Sequence, residues 1–292
     1  MWAITGGSGQ LGRSLSDLLE LSGKSFVSLS QKELDVTNSK SIDTLISVNP
    51  DVIINCAAWT DVDLAETSFD QAKLVNEGGV INVAKAAKFL DIPLIHISTD
   101  YVFSGTGARP WKPYDETNPI SQYGNSKALG ERALWSTYRD GSVILRTAWL
   151  YGPYGKNFAK TMVRKAITST ETVRVVEDQI GQPSSTEDLA KQILKVSEAG
   201  ITNCILHATN SGETSWYEFA RELFILCGVP DIRLKPIPSS EFATPAKRPK
   251  YSVLDNSNWA EFGLTPMRSW REALGAVFPS IKSAVERELA YG

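Results

Sequence analysis

The chain has 292 residues, with 30 Lys and Arg against 33 Asp and Glu and a formal net charge of -3. That mildly acidic balance argues against nucleic acid or an anionic membrane as the main partner. No apolar run approaches the roughly 20 residues needed to span a bilayer, and no leader pattern precedes the first apolar segment, so a cytoplasmic protein is expected.

Trp2-Ala-Ile-Thr5 reads as a short apolar strand, followed at once by Gly6-Gly7-Ser8-Gly9-Gln10-Leu11-Gly12. Helical spacing then begins at Leu11, Leu15, Leu18 and Leu19. Strand, glycine turn and helix in that order make a phosphate cradle: small residues let the backbone approach a pyrophosphate, and the helix N-terminus offers N–H groups. Gly7, Gly9 and Gly12 fit one glycine spacing and Gly6, Gly9 and Gly12 another, and either suits a dinucleotide. Gly6, Gly9, Gln10, Leu11 and Gly12 are therefore candidate cofactor contacts.

The second strand is expected over 24–30. An NAD enzyme places a carboxylate near its end to bind the ribose 2′-hydroxyl. Here Ser30 stands there, followed by Gln31 and Lys32, which favours a 2′-phosphate and hence NADPH, with NADH also usable. Asp35 and Val36 are placed beside the adenine. Residues 51–58 form a nearly continuous apolar run, as in a strand buried on both faces. It leads to Ala58, Trp59 and Thr60, further candidate cofactor contacts. A helix is expected from Ala72 to Ala87, then a strand over 93–100 ending in Ser98, Thr99 and Asp100.

A long loop from Phe103 to Ser121 carries several Gly and Pro residues, a pattern more often functional than slack. After it, Tyr123-Gly-Asn-Ser-Lys127 heads a helix. Residues four apart share a helical face, so an ammonium would sit beside a phenol and favour its ionised form, which suits proton exchange. One more strand covers 141–151. Beyond it come a helix at 158–167, strands at 172–176 and 204–208, helices at 189–196 and 216–227, a Pro-rich run at 236–249 and a final amphipathic helix. The fold class is α/β: a Rossmann-type, doubly wound parallel sheet with a smaller C-terminal lobe. Residues 1–151 are assigned to the nucleotide-binding domain, with segments at about 172–208 partly returning to it, and 152–292 to a substrate-binding lobe.

Cys56, Cys204 and Cys227 lack paired spacing and read as plain thiols. His96 and His207 have no second ligand at metal spacing, so no metal site is expected.

The glycine turn, Ser98-Thr99 at a strand end and Tyr123-x-x-x-Lys127, in that order, resemble the extended short-chain dehydrogenase/reductase family. Within it the chain is most similar to the dTDP-4-dehydrorhamnose reductases. Thr5–Gly12, Asn55–Asp63, Ser98–Gly105, Arg146–Tyr151, Asn157–Met162, Asp178–Pro183 and Arg248-Pro249 carry that similarity. The resemblance implies reduction of the C4 ketone of dTDP-4-dehydro-L-rhamnose to dTDP-L-rhamnose by NAD(P)H. It makes Tyr123 the general acid, Lys127 the group that lowers its pKa and holds the nicotinamide ribose, and Thr99 the hydroxyl that polarises the carbonyl. Asp100 and Trp149 are then expected at the sugar, and Arg248 at the diphosphate. Trp59 departs from the usual Tyr or His. The acidic residues that hold magnesium between subunits in some members are not recognisable near Arg13, which leaves monomer and homodimer open. A nucleotide-sugar epimerase or dehydratase is disfavoured by Ser30 and by Tyr101 after Asp100. The NADP-binding regulatory β subunit of methionine adenosyltransferase also resembles these reductases and is not separated from them by motifs.

Overall fold

Six short strands whose side chains alternate between two apolar faces organise the larger domain. A computed structural model describes residues 1–291, Ser41 by its backbone alone. The strands are β1 (Trp2–Thr5), β2 (Phe26–Leu29), β3 (Val52–Asn55), β4 (Leu94–Thr99), β5 (Ser142–Thr147) and, much later, β10 (Cys204–His207). They form one sheet in the order β10-β5-β4-β3-β1-β2, every neighbouring pair parallel.

Because side chains alternate, Ile4, Ile54, Ile95 and Leu145 enter one core while Ala3, Ile53, Leu94 and Ile144 enter the other. Helix α1 (Gln10–Leu21) and α7 (Thr186–Glu198) cover the first face through Leu11, Leu15, Leu189 and Ile193. Helices α2 (Ile42–Val48), α4 (Gly79–Leu90) and α5 (Gln122–Tyr138) cover the second through Leu45, Val80, Val83 and Leu134. The continuous helix expected across 72–87 is interrupted: α3 (Phe69–Lys73) passes into α4 through a π turn at Leu74–Gly78.

The rest of the chain builds the smaller lobe. It contains β6 (Leu150–Tyr151), α6 (Phe158–Thr168), β7 (Val173–Val176), β8 (Ile180–Gly181), β9 (Ser184–Ser185), β11 (Thr214–Ser215), α8 (Trp216–Leu226), β12 (Leu234–Ile237) and α9 (Trp270–Tyr291). Met162, Val175, Phe219, Phe224, Trp270 and Phe278 fill its core. Of the segments expected to return to the first domain, α7 and β10 do so. β7 does not: it pairs in parallel with β12, inside the lobe. Among the described residues no helix is long and apolar enough to cross a membrane.

Candidate active site

The connection from β1 to β2 runs to one side of β1, and the chain then crosses to β3 on the other. Such a switch point opens a crevice at the carboxyl ends of the two strands. Gly6 sits there with φ of +65°, and a Cβ on it would lie 2.7 Å from the Ala57 nitrogen, so only glycine fits. A Cβ on Gly12 would likewise approach Gly6 O at 2.6 Å. Gly9 precedes α1 with no side-chain cap, and the first turn carries no acidic residue. The leading N–H groups are therefore free for an anion.

From this turn opens a cleft of about 620 Å³. Gly6, Gly9, Gln10, Leu11, Gly12, Asp35, Val36, Ala58, Trp59 and Thr60, all expected from sequence, line it. Leu150, at the end of residues 1–151, and Gly155 and Lys156 just beyond them also line the cleft. Ser30 lies elsewhere, in an adjoining recess of about 400 Å³ with Ser8, Arg13 and Ser28. Both its N–H and its hydroxyl donate to Glu33, at 2.8 and 2.7 Å.

The candidate catalytic residues converge at the far end of β4. Ser121 caps α5, accepting from Gly124 N at 3.2 Å. The helix is pressed so closely onto Tyr101 that a Cβ at Gly124 would meet the Tyr101 oxygen at 2.2 Å. Tyr123 packs edge-on against Tyr101, with ring centroids 5.7 Å apart. Burial pushes the Tyr123 phenol up to about 12, partly offset by the Thr99 hydroxyl facing it, while the Asp100 charge raises it further. Lys127 does not lower it. Its ammonium instead donates to Ile97 O at 2.7 Å, within 3.5 Å of His96 Nε2. Burial brings Lys127 down to about 8, against the raising charge of Glu131. Desolvation of the phenolate is the largest influence on Tyr123 here, with the Lys127 ammonium directed at a backbone carbonyl.

Thr99 Oγ1 donates to Asp100 Oδ1 at 3.0 Å and accepts from Tyr101 N at 3.2 Å. Asp100 is 1% exposed, its Oδ2 has no hydrogen-bond partner among the described residues, and burial raises its carboxyl to about 6 against the lowering effect of the Ser252 and Thr99 hydroxyls. Trp149 adopts a left-handed backbone, φ 46°, and stacks on Trp216 at 3.6 Å. The stack faces Gly181, where a Cβ would touch the Trp149 ring at 2.6 Å. Arg248 is not a free cation. Its guanidinium forks onto Asp63 at 3.0 and 2.7 Å, strapping the loop before Pro249 to the segment after β3. That pairing holds the Asp63 carboxyl below the usual carboxylate range.

Asn76 was invisible to periodicity, which placed it within a regular helix. At the π turn its side chain binds both Trp59 N and Trp59 O, at 2.9 and 3.1 Å, and donates to Ser126 Oγ at 2.8 Å. It joins the cofactor-side loop to the Tyr123 helix. Such π turns are common at functional sites, but only a side chain's long-range partners betray one.

A Rossmann-type sheet with a glycine cradle at its switch point, and a Tyr–Lys helix at the next strand end, defines the class. The chain belongs to the family described as RmlD substrate binding domain, whose model matches residues 2–283. It is 42% identical over 285 residues to a dTDP-4-dehydrorhamnose reductase of Streptomyces griseus, covering 96% of this chain and 93% of that one. It is also 42% identical over 283 residues to a dTDP-4-keto-6-deoxy-D-glucose reductase of Streptomyces niveus, covering 97% and 98%. The crystal structure of a dTDP-4-dehydrorhamnose reductase from Bacillus anthracis in complex with NADP superposes with a TM-score of 0.90 at 37% identity, covering 95% and 98%.

Proposed function

We propose that this protein uses NADPH, with NADH also accepted, to reduce the C4 ketone of dTDP-4-dehydro-L-rhamnose to dTDP-L-rhamnose. The observation that carries this reading is the convergence of Thr99, Asp100 and Tyr123 at the end of β4, beside a cleft built to take a dinucleotide. The glycine turn suits a pyrophosphate, Asp35 and Val36 an adenosine, and Lys127 a nicotinamide ribose. Bound there, the cofactor supplies hydride to the ketone carbon.

The protein's own groups handle the proton. A phenol held near 12 keeps its proton at neutral pH, so Tyr123 acts as a general acid toward the oxygen on which charge develops. Thr99 orients that oxygen. Lys127 remains an ammonium below about pH 8 and lends positive potential to the site. Trp149, flattened against Trp216, gives the deoxysugar ring an apolar platform. Residues 1–151, with α7 and β10, hold the dinucleotide, and the remainder of 152–292 holds the dTDP-sugar.

The test is oxidation of NADPH and of NADH in the presence of enzymatically generated dTDP-4-dehydro-L-rhamnose. Turnover establishes the reductase and its cofactor preference together. Tight NADP binding without turnover of this ketosugar overturns the reading.

A further inference from the structure

We propose that Lys156 is a further cofactor-binding residue, whose ammonium meets the dinucleotide pyrophosphate across the cleft from the glycine turn. The inference rests on the dinucleotide reading of that cleft and not on which sugar is reduced. A pyrophosphate brings a negative charge on each phosphate. The turn answers it with the leading N–H groups of α1, which has neither a side-chain cap nor an acidic residue in its first turn. Those N–H groups carry only partial charge. Among the residues lining the cleft, Lys156 alone is basic and Asp35 alone acidic. Asp35 belongs to the adenosine end, whereas Lys156 follows Gly155, which lies against Gln10 at the head of α1.

The turn that carries Lys156 is fixed to α1 on both sides of it. Before it, the Tyr154 hydroxyl donates to Asp17 at 2.6 Å, and the Arg13 guanidinium lies over the Tyr154 ring, 4.1 Å from its centroid. Gly155, with φ of +62°, comes so close to α1 that a Cβ there would meet Gln10 Cγ at 2.8 Å. After it, the Asn157 amide donates to Gln10 Oε1 at 2.9 Å and to Gly152 O at 3.0 Å, while its oxygen caps α6 by accepting from Lys160 N at 3.0 Å. The neighbouring cations are engaged: Arg13 with Tyr154, and Lys160 with Gly155 O at 3.0 Å and with Glu288, which also takes Arg164. Lys156 is exposed and has no ion-pair partner among the described residues. Its backbone is held at the cleft while its long side chain is free to reach an anion inside.

Calorimetric titration of NADP⁺ and of NAD⁺ into the protein without sugar nucleotide tests this. Both dinucleotides share the pyrophosphate, so Lys156→Met should weaken both by about tenfold, the worth of one charge-assisted hydrogen bond at a partly solvated site. Lys156→Arg keeps a cation and should recover most of the loss. A loss confined to NADP⁺ would put Lys156 at the 2′-phosphate and overturn the proposal. An Arg variant as weak as Met would trace the effect to the shape of the turn rather than its charge, and overturns it too. If the unaltered protein binds neither dinucleotide, the reading of the cleft falls and takes the proposal with it. If it binds both and Lys156→Met changes neither affinity, the proposal alone falls, and a raised KM for the dTDP-sugar would then give Lys156 to the substrate diphosphate.

Discussion

The Arg146 guanidinium forks onto the Glu131 carboxylate at 2.8 and 2.6 Å, with both side chains buried. Ser98 donates to the same carboxylate at 2.5 Å, and Arg146 also donates to Pro113 O at 2.8 Å. One ion pair thus joins β5, β4, the Tyr123 helix and the long loop. Glu131→Gln leaves a buried cation uncompensated and should cost about 3–5 kcal/mol in urea unfolding. A loss below about 1 kcal/mol would mean that water reaches the pair and screens it.

Tyr123→Phe removes the acid and leaves the cleft intact. Turnover should fall about 10²–10⁴-fold, the usual contribution of a positioned proton donor, while dinucleotide affinity measured by calorimetry stays unchanged. Near wild-type turnover would remove Tyr123 from the chemistry.

Asp100 makes stability fall with rising pH. Its folded pKa of about 6 lies above the ordinary aspartate value of 3.8, so between those values the folded state binds more protons than the unfolded one. Stability is lost as pH climbs through that window, by an amount of order 3 kcal/mol at the limit. Asp100→Asn should flatten the slope of unfolding free energy between pH 4 and 6 and stabilise the protein at pH 7. A slope unchanged by the substitution would assign it to other groups. Reductase turnover should drop in the same variant, since the unpartnered Oδ2 belongs to the proposed sugar site.

Cofactor choice should turn on Ser30 and Glu33. Glu33 already takes both Ser30 donors, which puts one carboxylate beside the place a 2′-phosphate would occupy. Glu33→Gln should raise the NADPH to NADH ratio of kcat/KM, and Ser30→Asp should lower it. If neither variant changes the ratio, the recess around Arg13 has no part in cofactor choice.

Arg248 tests whether the strap onto Asp63 is also a substrate contact. The pair is partly exposed, so breaking it should cost less than about 1 kcal/mol of stability. If the guanidinium turns to the diphosphate, Arg248→Met should raise KM for the dTDP-sugar by roughly tenfold, the worth of a charge-assisted bond. Asp63→Asn should leave KM unchanged or lower it. Equal effects of the two variants would confine Arg248 to the strap.

Much of this was legible locally. Thr5–Gly12 announces strand, turn and helix because glycine's freedom at φ of +65° and the leading N–H groups are properties of a few consecutive residues. The strands from β1 to β5 could be read from apolar runs, and the Tyr–Lys pair from a four-residue spacing. What could not be read was whatever depended on a distant partner. The Arg248 partner, Asp63, lies 185 residues away along the chain. β7 looked like part of the main sheet until β12 paired with it.

The sequence by itself determined most of the main elements and the glycine turn, since these follow from short-range periodicity and backbone sterics, while Thr99, Tyr123 and Lys127 were singled out by resemblance to a reductase family. Only the tertiary structure decided their electrostatics. It placed Tyr123 where desolvation raises its pKa, turned Lys127 onto Ile97 O and His96, and left Asp100 with an unpartnered oxygen. Desolvation and charge pairing depend on which groups, tens of residues apart, are brought within a few ångströms of one another.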